Sequence, residues 1–289
     1  MSSSLTFPKP STVPVEDAAP LTLIVLTNFF PAARQAIRYA AGLALPIGAR
    51  LVLLHVQAAS VLEGELLPKG APQAADLRAA IQALAQGVSS ATTITVELVP
   101  DLQLSTAARL TRRYGPALFV LGRAVVPERE DEVTISVWSL LRSGDFPLLV
   151  MPESYNGPFS PTRVAVAADG DPFELDHPTA AQQLLAHLQP VLTVVRVEGI
   201  EDDQACATGL RYVQASGLTA GARHTTPLAV RDLDPAQGLL TAIAQTEAQL
   251  LVLIARRRSF LGEMFHRSVT SKMLAASPVP LLVLPATDS

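Results

Sequence analysis

Two almost identical apolar runs, LLVMP at 148–152 and LLVLP at 281–285, close two stretches of chain that repeat one order of segments. The first stretch reads LTLIVLT, PAARQAIRYAAGLALP, ARLVLLHV, APQAADLRAAIQALAQG, TTITVELV, LSTAARLTRRYG, ALFVLG, DEVTISVWSLLRSG and FPLLVMP. The second reads TRVAVAAD, PTAAQQLLAHLQ, VLTVVRV, EDDQACATGLRYVQASG, ARHTTPLAV, DPAQGLLTAIAQTEA, QLLVLIA, HRSVTSKMLAAS and VPLLVLP. Short runs that are apolar along both faces are strands buried on both sides, and the longer stretches between them are helix-compatible. That alternation builds parallel sheets covered by helices. Local signals agree. Pro31 suits a first helical turn, Ile37, Ala40, Ala41 and Ala44 make an apolar stripe, Gly87 is a stop signal, and an acidic first turn opens the 201–217 helix. The expected fold is α/β, two tandem five-stranded parallel sandwiches related by a pseudo-twofold. It divides into a flexible leader at 1–20, domains at 21–152 and 162–285, and a linker, ESYNGPFSP, at 153–161.

A long, flat, apolar edge strand invites aggregation. The two closing strands therefore call for burial. They pair either with each other inside one chain, making a built-in dimer, or between chains in a homodimer of tandem units. The constant separation of other anchors supports the repeat. Asn28 and Asp169 each end a first strand, and Ser136 and Ser268 each open a last helix.

The chain has 289 residues, 49% hydrophobic and 17% charged, which describes a compact globular protein long enough for two domains. A net charge of −4 and a pI near 5.7 argue against nucleic acid or a membrane surface as partner. The leader lacks a basic region followed by an apolar one, and no run approaches the roughly 20 apolar residues that span a bilayer, so a cytoplasmic location is expected. A single cysteine, Cys206, excludes an intrachain disulfide. It reads as a small helix residue.

LIVLTNFFPAARQAIRYAAGLA, LVLLHV, ALFVLG and FPLLVMP, with VAVAADGD and LLVLIARRRSFLGEMFHRSVTSKMLAASPVPLLVLP, resemble the universal stress protein family in a tandem arrangement. The resemblance covers nearly the whole chain after the leader and implies a stress-response or regulatory role. Nucleotide-binding members carry Gly-x-x-Gly, nine residues, then Gly-Ser or Gly-Thr, which brings backbone amides and a helix N-terminus to the phosphates of ATP. An acidic residue ending the first strand contacts the nucleoside. In the second half those glycines fall on Ile254, Arg257 and Arg267, while Ser268 keeps the hydroxyl ahead of Val269 and Asp169 keeps the acid. In the first half Gly122 keeps one glycine, Val125 and Ile135 replace the others, Ser136 keeps the hydroxyl, and Asn28 replaces the acid. The stretch RAVVPEREDEVTI between them is acidic in its second part and would repel a triphosphate.

The expected protein is therefore non-enzymatic, with degenerate ATP loops in both halves, no cofactor, and action through protein partners or a bound small molecule. The alternative is an ATP-binding member with weak hydrolysis, in which Arg256, Arg257, Arg258 and Arg267, beside His266, take over phosphate contact; a smaller anion would suit the same guanidinium groups. Asp169, Asp171, Glu174, Asp176 and His177 form an acidic cluster, but Pro172 and Pro178 break the spacing of a calcium loop, and capping and turn roles are expected. His55 at a strand end and Trp138 on a helix read as structural. Neither a nucleophile triad, a zinc spacing nor a Walker A loop is present, and a related α-hydrolase enzyme would need a glycine-rich loop that LTNFFPAA and AADGDPFE do not supply.

Overall fold

The computed structural model describes residues 19–27, 31–56, 79, 81, 83, 94–123, 146–198, 203–256 and 268–288. The leader through residue 18 and the expected helix at 131–144, with Trp138, lie outside these residues, and of the helix expected near 71–87 only 79, 81 and 83 fall inside them, all helical.

The first half contributes β1 (Thr22–Leu26), α1 (Pro31–Ile47), β2 (Arg50–Val56), β3 (Ile94–Val99), α2 (Leu104–Tyr114), β4 (Ala117–Arg123) and β5 (Leu148–Pro152). The second contributes β6 (Arg163–Ala167), β7 (Phe173–Leu175), α3 (Pro178–Leu188), β8 (Val191–Glu198), α4 (Asp203–Ala215), β9 (His224–Arg231), α5 (Pro235–Thr246), β10 (Leu250–Arg256), α6 (Val269–Ala276) and β11 (Leu281–Asp288). Every residue of β1 and β5 is buried, as expected of strands covered on both faces.

All these strands form one sheet in the order β3-β2-β1-β4-β5-β11-β10-β6-β8-β9, with β7 beside β11. Pairing within each half is parallel, apart from β7. The halves join where β5 and β11 run antiparallel, with Leu281 opposite Val150, Leu282 opposite Leu149 and Val283 opposite Leu148. Leu149 and Leu282 hold the same place in their halves and face each other, so the register is that of a pseudo-twofold axis. Of the two pairings open to the closing strands, the protein uses the one inside the chain. β5 lies between β4 and β11, and β11 between β10 and β5, so neither closing strand remains an edge. The edges of the path are β3 and β9. Pro227 within β9 lacks an N–H, which an edge strand tolerates.

The structure departs from the sequence expectation at Phe173–Leu175. The stretch lies in the segment where capping and turn roles are expected, yet it forms β7, antiparallel to Ala286–Asp288. Three residues between Pro172 and Pro178 are too few to show a period. β11 runs on past Pro285 to Asp288 to receive them.

Two further contacts tie the halves together. Arg123, at the end of β4, donates from Nη1 to the Leu274 carbonyl at 2.8 Å and from Nη2 to that of Ser277 at 2.7 Å. It thereby satisfies carbonyls left open at the end of α6. In the connection between β5 and β6, Tyr155 is buried edge-on against Tyr39 of α1, with ring centroids 5.9 Å apart. Phe159 lies over Gly42, where a Cβ would stand 2.5 Å from its ring.

Candidate functional site

In each half the first strand is central and its neighbours were reached by crossovers in opposite directions. Such a reversal opens a crevice outside the carboxyl ends of the two strands that flank it, and ligands of open α/β sheets bind there. The flanking strands are β1 and β4 in the first half, and β6 and β10 in the second. Because β5 and β11 are antiparallel, the two crevices lie at opposite edges of the sheet.

The second crevice is occupied by the protein's own side chains. Arg256 ends β10, and Asp169 follows β6 by two residues. The guanidinium meets the carboxylate bidentately, Nε to Oδ2 and Nη2 to Oδ1, both at 3.0 Å. Nη2 also donates to the Asp171 carbonyl at 3.0 Å, and Nη1 to the Pro172 carbonyl at 2.9 Å and to Oδ1 of Asp288. An arginine has five N–H donors, and all five are engaged. Its side chain is 5% exposed, against 55% for Asp169 and 56% for Asp288. The cation is enclosed and the acids form its outer rim.

Local sequence explains this arrangement. Gly170 adopts φ +85°, a conformation that residues with a Cβ rarely adopt, so the backbone favours glycine there, beside the flexible end of Arg196. The Asp171 N–H donates to Oδ1 of Asp169 at 3.1 Å, closing an Asx turn. The chain then crosses the carboxyl end of β10 to reach the far side of β11, where β7 pairs. This strap takes residues 168–177 between β6 and α3, whereas 27–30 suffice between β1 and α1. At its far end His177 stacks on Phe146, with centroids 6.0 Å apart.

The remaining sequence candidates distribute as follows. Ser268 is the N-cap of α6, its Oγ accepting from the Ser271 N–H at 3.1 Å, and Val269 packs against the core behind it. Gly122 presses against the first turn of α1, where a Cβ would lie 2.0 Å from the Ala32 carbonyl oxygen, so its glycine has a packing reason. His55 Nδ1 lies 2.9 Å from the Thr27 carbonyl, pinning adjacent strand ends. Asn28, Ser136, Arg257, Arg258, His266 and Arg267 lie outside the described residues. Among the described residues, no three His, Cys, Asp or Glu side chains converge as metal ligands. Sequence reading missed Asp288 as a partner of Arg256. The signal was present in the register: Arg256 is opposite Ala286, and Asp288 follows two residues later on the same face.

Burial alone would push the Asp169 carboxyl up, but the hydrogen bonds and charge of Arg256, with the Asp171 N–H, together hold it below the ordinary aspartate range. Asp169 in turn raises the affinity of Arg256 for its proton. A depressed carboxyl stabilises the fold fully above its unfolded pKa, roughly 4, and that contribution is lost as pH falls through the folded value. Wild type is therefore expected to be more stable than Asp169→Asn at neutral pH, with the difference shrinking steadily below about pH 4. Urea unfolding of both proteins across that range measures it.

Residues 161–285 match the model of the Universal stress protein family. The second half of the chain belongs to the universal stress protein family. The tandem fold extends the likeness to the first half. A universal stress protein from Archaeoglobus fulgidus superposes with a TM-score of 0.62 at 14% identity, covering 91% of this chain and 97% of its own. A candidate universal stress protein from Pseudomonas aeruginosa gives 0.54 at 15%, covering 92% and 93%. A functionally unknown protein from the same species gives 0.53 at 15%, covering 92% of each. At these identities the likeness is one of fold. No curated protein matches the sequence. Among the described residues, no helix is long and apolar enough to cross a membrane.

Proposed function

We propose that this tandem universal stress protein is a non-enzymatic stress-response protein that acts through protein partners, and that its second half does not hold ATP in the family's manner. One observation supports the reading above the others. Asp169 stands where nucleotide-binding relatives direct an acid at the nucleoside, and here Arg256 takes both of its oxygens. A nucleotide entering the crevice would have to break a five-donor network and displace the strap that crosses it. The glycines that bring backbone amides to phosphate are replaced by Ile254, Arg257 and Arg267, and neither a β-branched nor a long side chain allows the close backbone approach that glycine does. The first half retains Gly122, but with Asn28 in place of the acid.

Calorimetry with ATP, and separately with phosphate, tests the reading on wild type and on an Arg257→Ala/Arg267→Ala variant. ATP is expected to give no saturable heat below about 1 mM, the affinity of a few weak contacts. Micromolar ATP binding by wild type, weakened in the variant, would establish instead that arginines have taken over the phosphate site. Mass spectrometry of small molecules co-purifying with the native protein gives an independent check.

A further inference from the structure

Helix α1 turns one face to solvent, and the side chains on it do nothing for the helix itself. Arg34, Arg38 and Leu45 follow one another at four and seven residues, so they share one narrow stripe. All three are exposed, while Ala36, Ile37, Ala40 and Ala44 are buried on the opposite side. Arg34 stands in the first turn, where a cation opposes the helix dipole, and Arg38 repeats the charge at the spacing where like charges repel. No Asp or Glu occurs between Pro31 and Ile47, and among the described residues neither arginine has an ion-pair partner. Leu45 is 56% exposed, and a helical side chain leans over the turn before its own, which carries it towards Phe159 above Gly42. Phe159 is 40% exposed and is held edge-on by Tyr39, with ring centroids 6.2 Å apart. Two of the five large apolar side chains exposed among the described residues thus fall at one end of the stripe. Two unpaired guanidinium groups mark the other.

We infer that this face of α1 is a docking surface for a protein partner, and that the partner presents an acidic amphipathic helix. The inference rests on the reading that the protein acts through protein partners, and names the surface. A helix laid along α1 sets carboxylates four residues apart against Arg34 and Arg38. It then sets a large apolar side chain against Leu45 and Phe159, about 10 Å further along. Arginine and aromatic side chains are the types that anchor such contacts. A second copy is a poor match. The stripe carries no acid, so α1 against α1 brings like charges together or covers a guanidinium with leucine. An anionic membrane is also a poor match for two cations on a chain of net charge −4.

Selection from a displayed library of random peptides on the full-length wild-type chain tests this. Peptides of about 16 residues are long enough to span the stripe as a helix. Enriched sequences are expected to pair acids four residues apart with a large apolar residue. Synthetic copies are expected to bind Arg34→Glu/Arg38→Glu, and separately Leu45→Ser, at least about tenfold more weakly than wild type. The replaced side chains are exposed and glutamate suits a first helical turn, so both variants are expected to melt as wild type does. Failure to enrich any peptide, enrichment without acids, or binding that both variants retain overturns the assignment. Wild type that sediments with phosphatidylserine vesicles gives the face to a membrane, and dimerisation that Arg34→Glu/Arg38→Glu abolishes gives it to a second copy. Either result overturns the acidic helix as its partner. Micromolar ATP binding by wild type would instead overturn the proposed function whatever the peptides do, so the two failures are distinguishable.

Discussion

Leu149→Lys and Leu282→Lys are each expected to abolish the soluble, folded protein. Both leucines are fully buried, and they face each other at the centre of the antiparallel junction. The lysine stem would fit the space, but its ammonium would lie between covered faces of an extended sheet with no carboxylate partner nearby in the register. Burying an unpaired charge costs several kcal/mol even after it neutralises, about 4 kcal/mol or more at such a site. That is a large share of the roughly 5–15 kcal/mol that holds a domain folded. The junction also shields the apolar edges of both halves, so a chain that opens there exposes two aggregation-prone strands at once. Expression, size-exclusion elution and thermal melting measure the outcome. Ala229→Lys, on the exposed face of the edge strand β9, serves as control and is expected to change stability by no more than about 0.5 kcal/mol. Junction variants that keep the wild-type elution volume and melting temperature would contradict the β5–β11 pairing.

The second large effect is expected at Arg256→Ala. Removing the guanidinium leaves the Asp171 and Pro172 carbonyls and two carboxylates without their donor. Breaking a buried pair by removing one partner costs about 3–5 kcal/mol. Here both acids are more than half exposed and water can take over part of the role, so a loss of about 2–3 kcal/mol is expected. At about 2–4 °C per kcal/mol for chains of this size, the melting temperature should fall by roughly 4–12 °C. Arg256→Lys should recover only part of this, because an ammonium cannot reproduce the bidentate fork. A thermal melt of Arg256→Ala matching wild type would mean that the network contributes nothing to the fold.

The duplicated architecture was legible because its signals are long and redundant. Runs such as LTLIVLT and QLLVLIA have no polar face, and LLVMP and LLVLP pose an edge problem with few solutions. Asp169, expected at the end of a first strand, follows β6 by two residues. What escaped was set by tertiary proximity. Phe173–Leu175 has no period of its own and becomes a strand because β11 continues to Asp288. Arg256 looked like one of three equivalent arginines in the sequence. As the last residue of β10 it turns into the crevice, because Asp169 lies just past the end of the neighbouring strand and Asp288 lies two residues beyond its register partner. Gly122 shows the converse. Its glycine matches the family's phosphate loop, yet the approach of α1 accounts for it fully.

The most direct test of the central claim is an NMR titration of the Asp169 side-chain carboxyl, in the presence and absence of ATP. If Arg256 holds both oxygens in the closed crevice, the carboxyl titrates below the ordinary aspartate range, its midpoint is unchanged by ATP, and it rises in Arg256→Ala. A carboxyl that titrates in the ordinary range in wild type, or whose midpoint moves when ATP is added, would contradict a crevice filled by the protein itself.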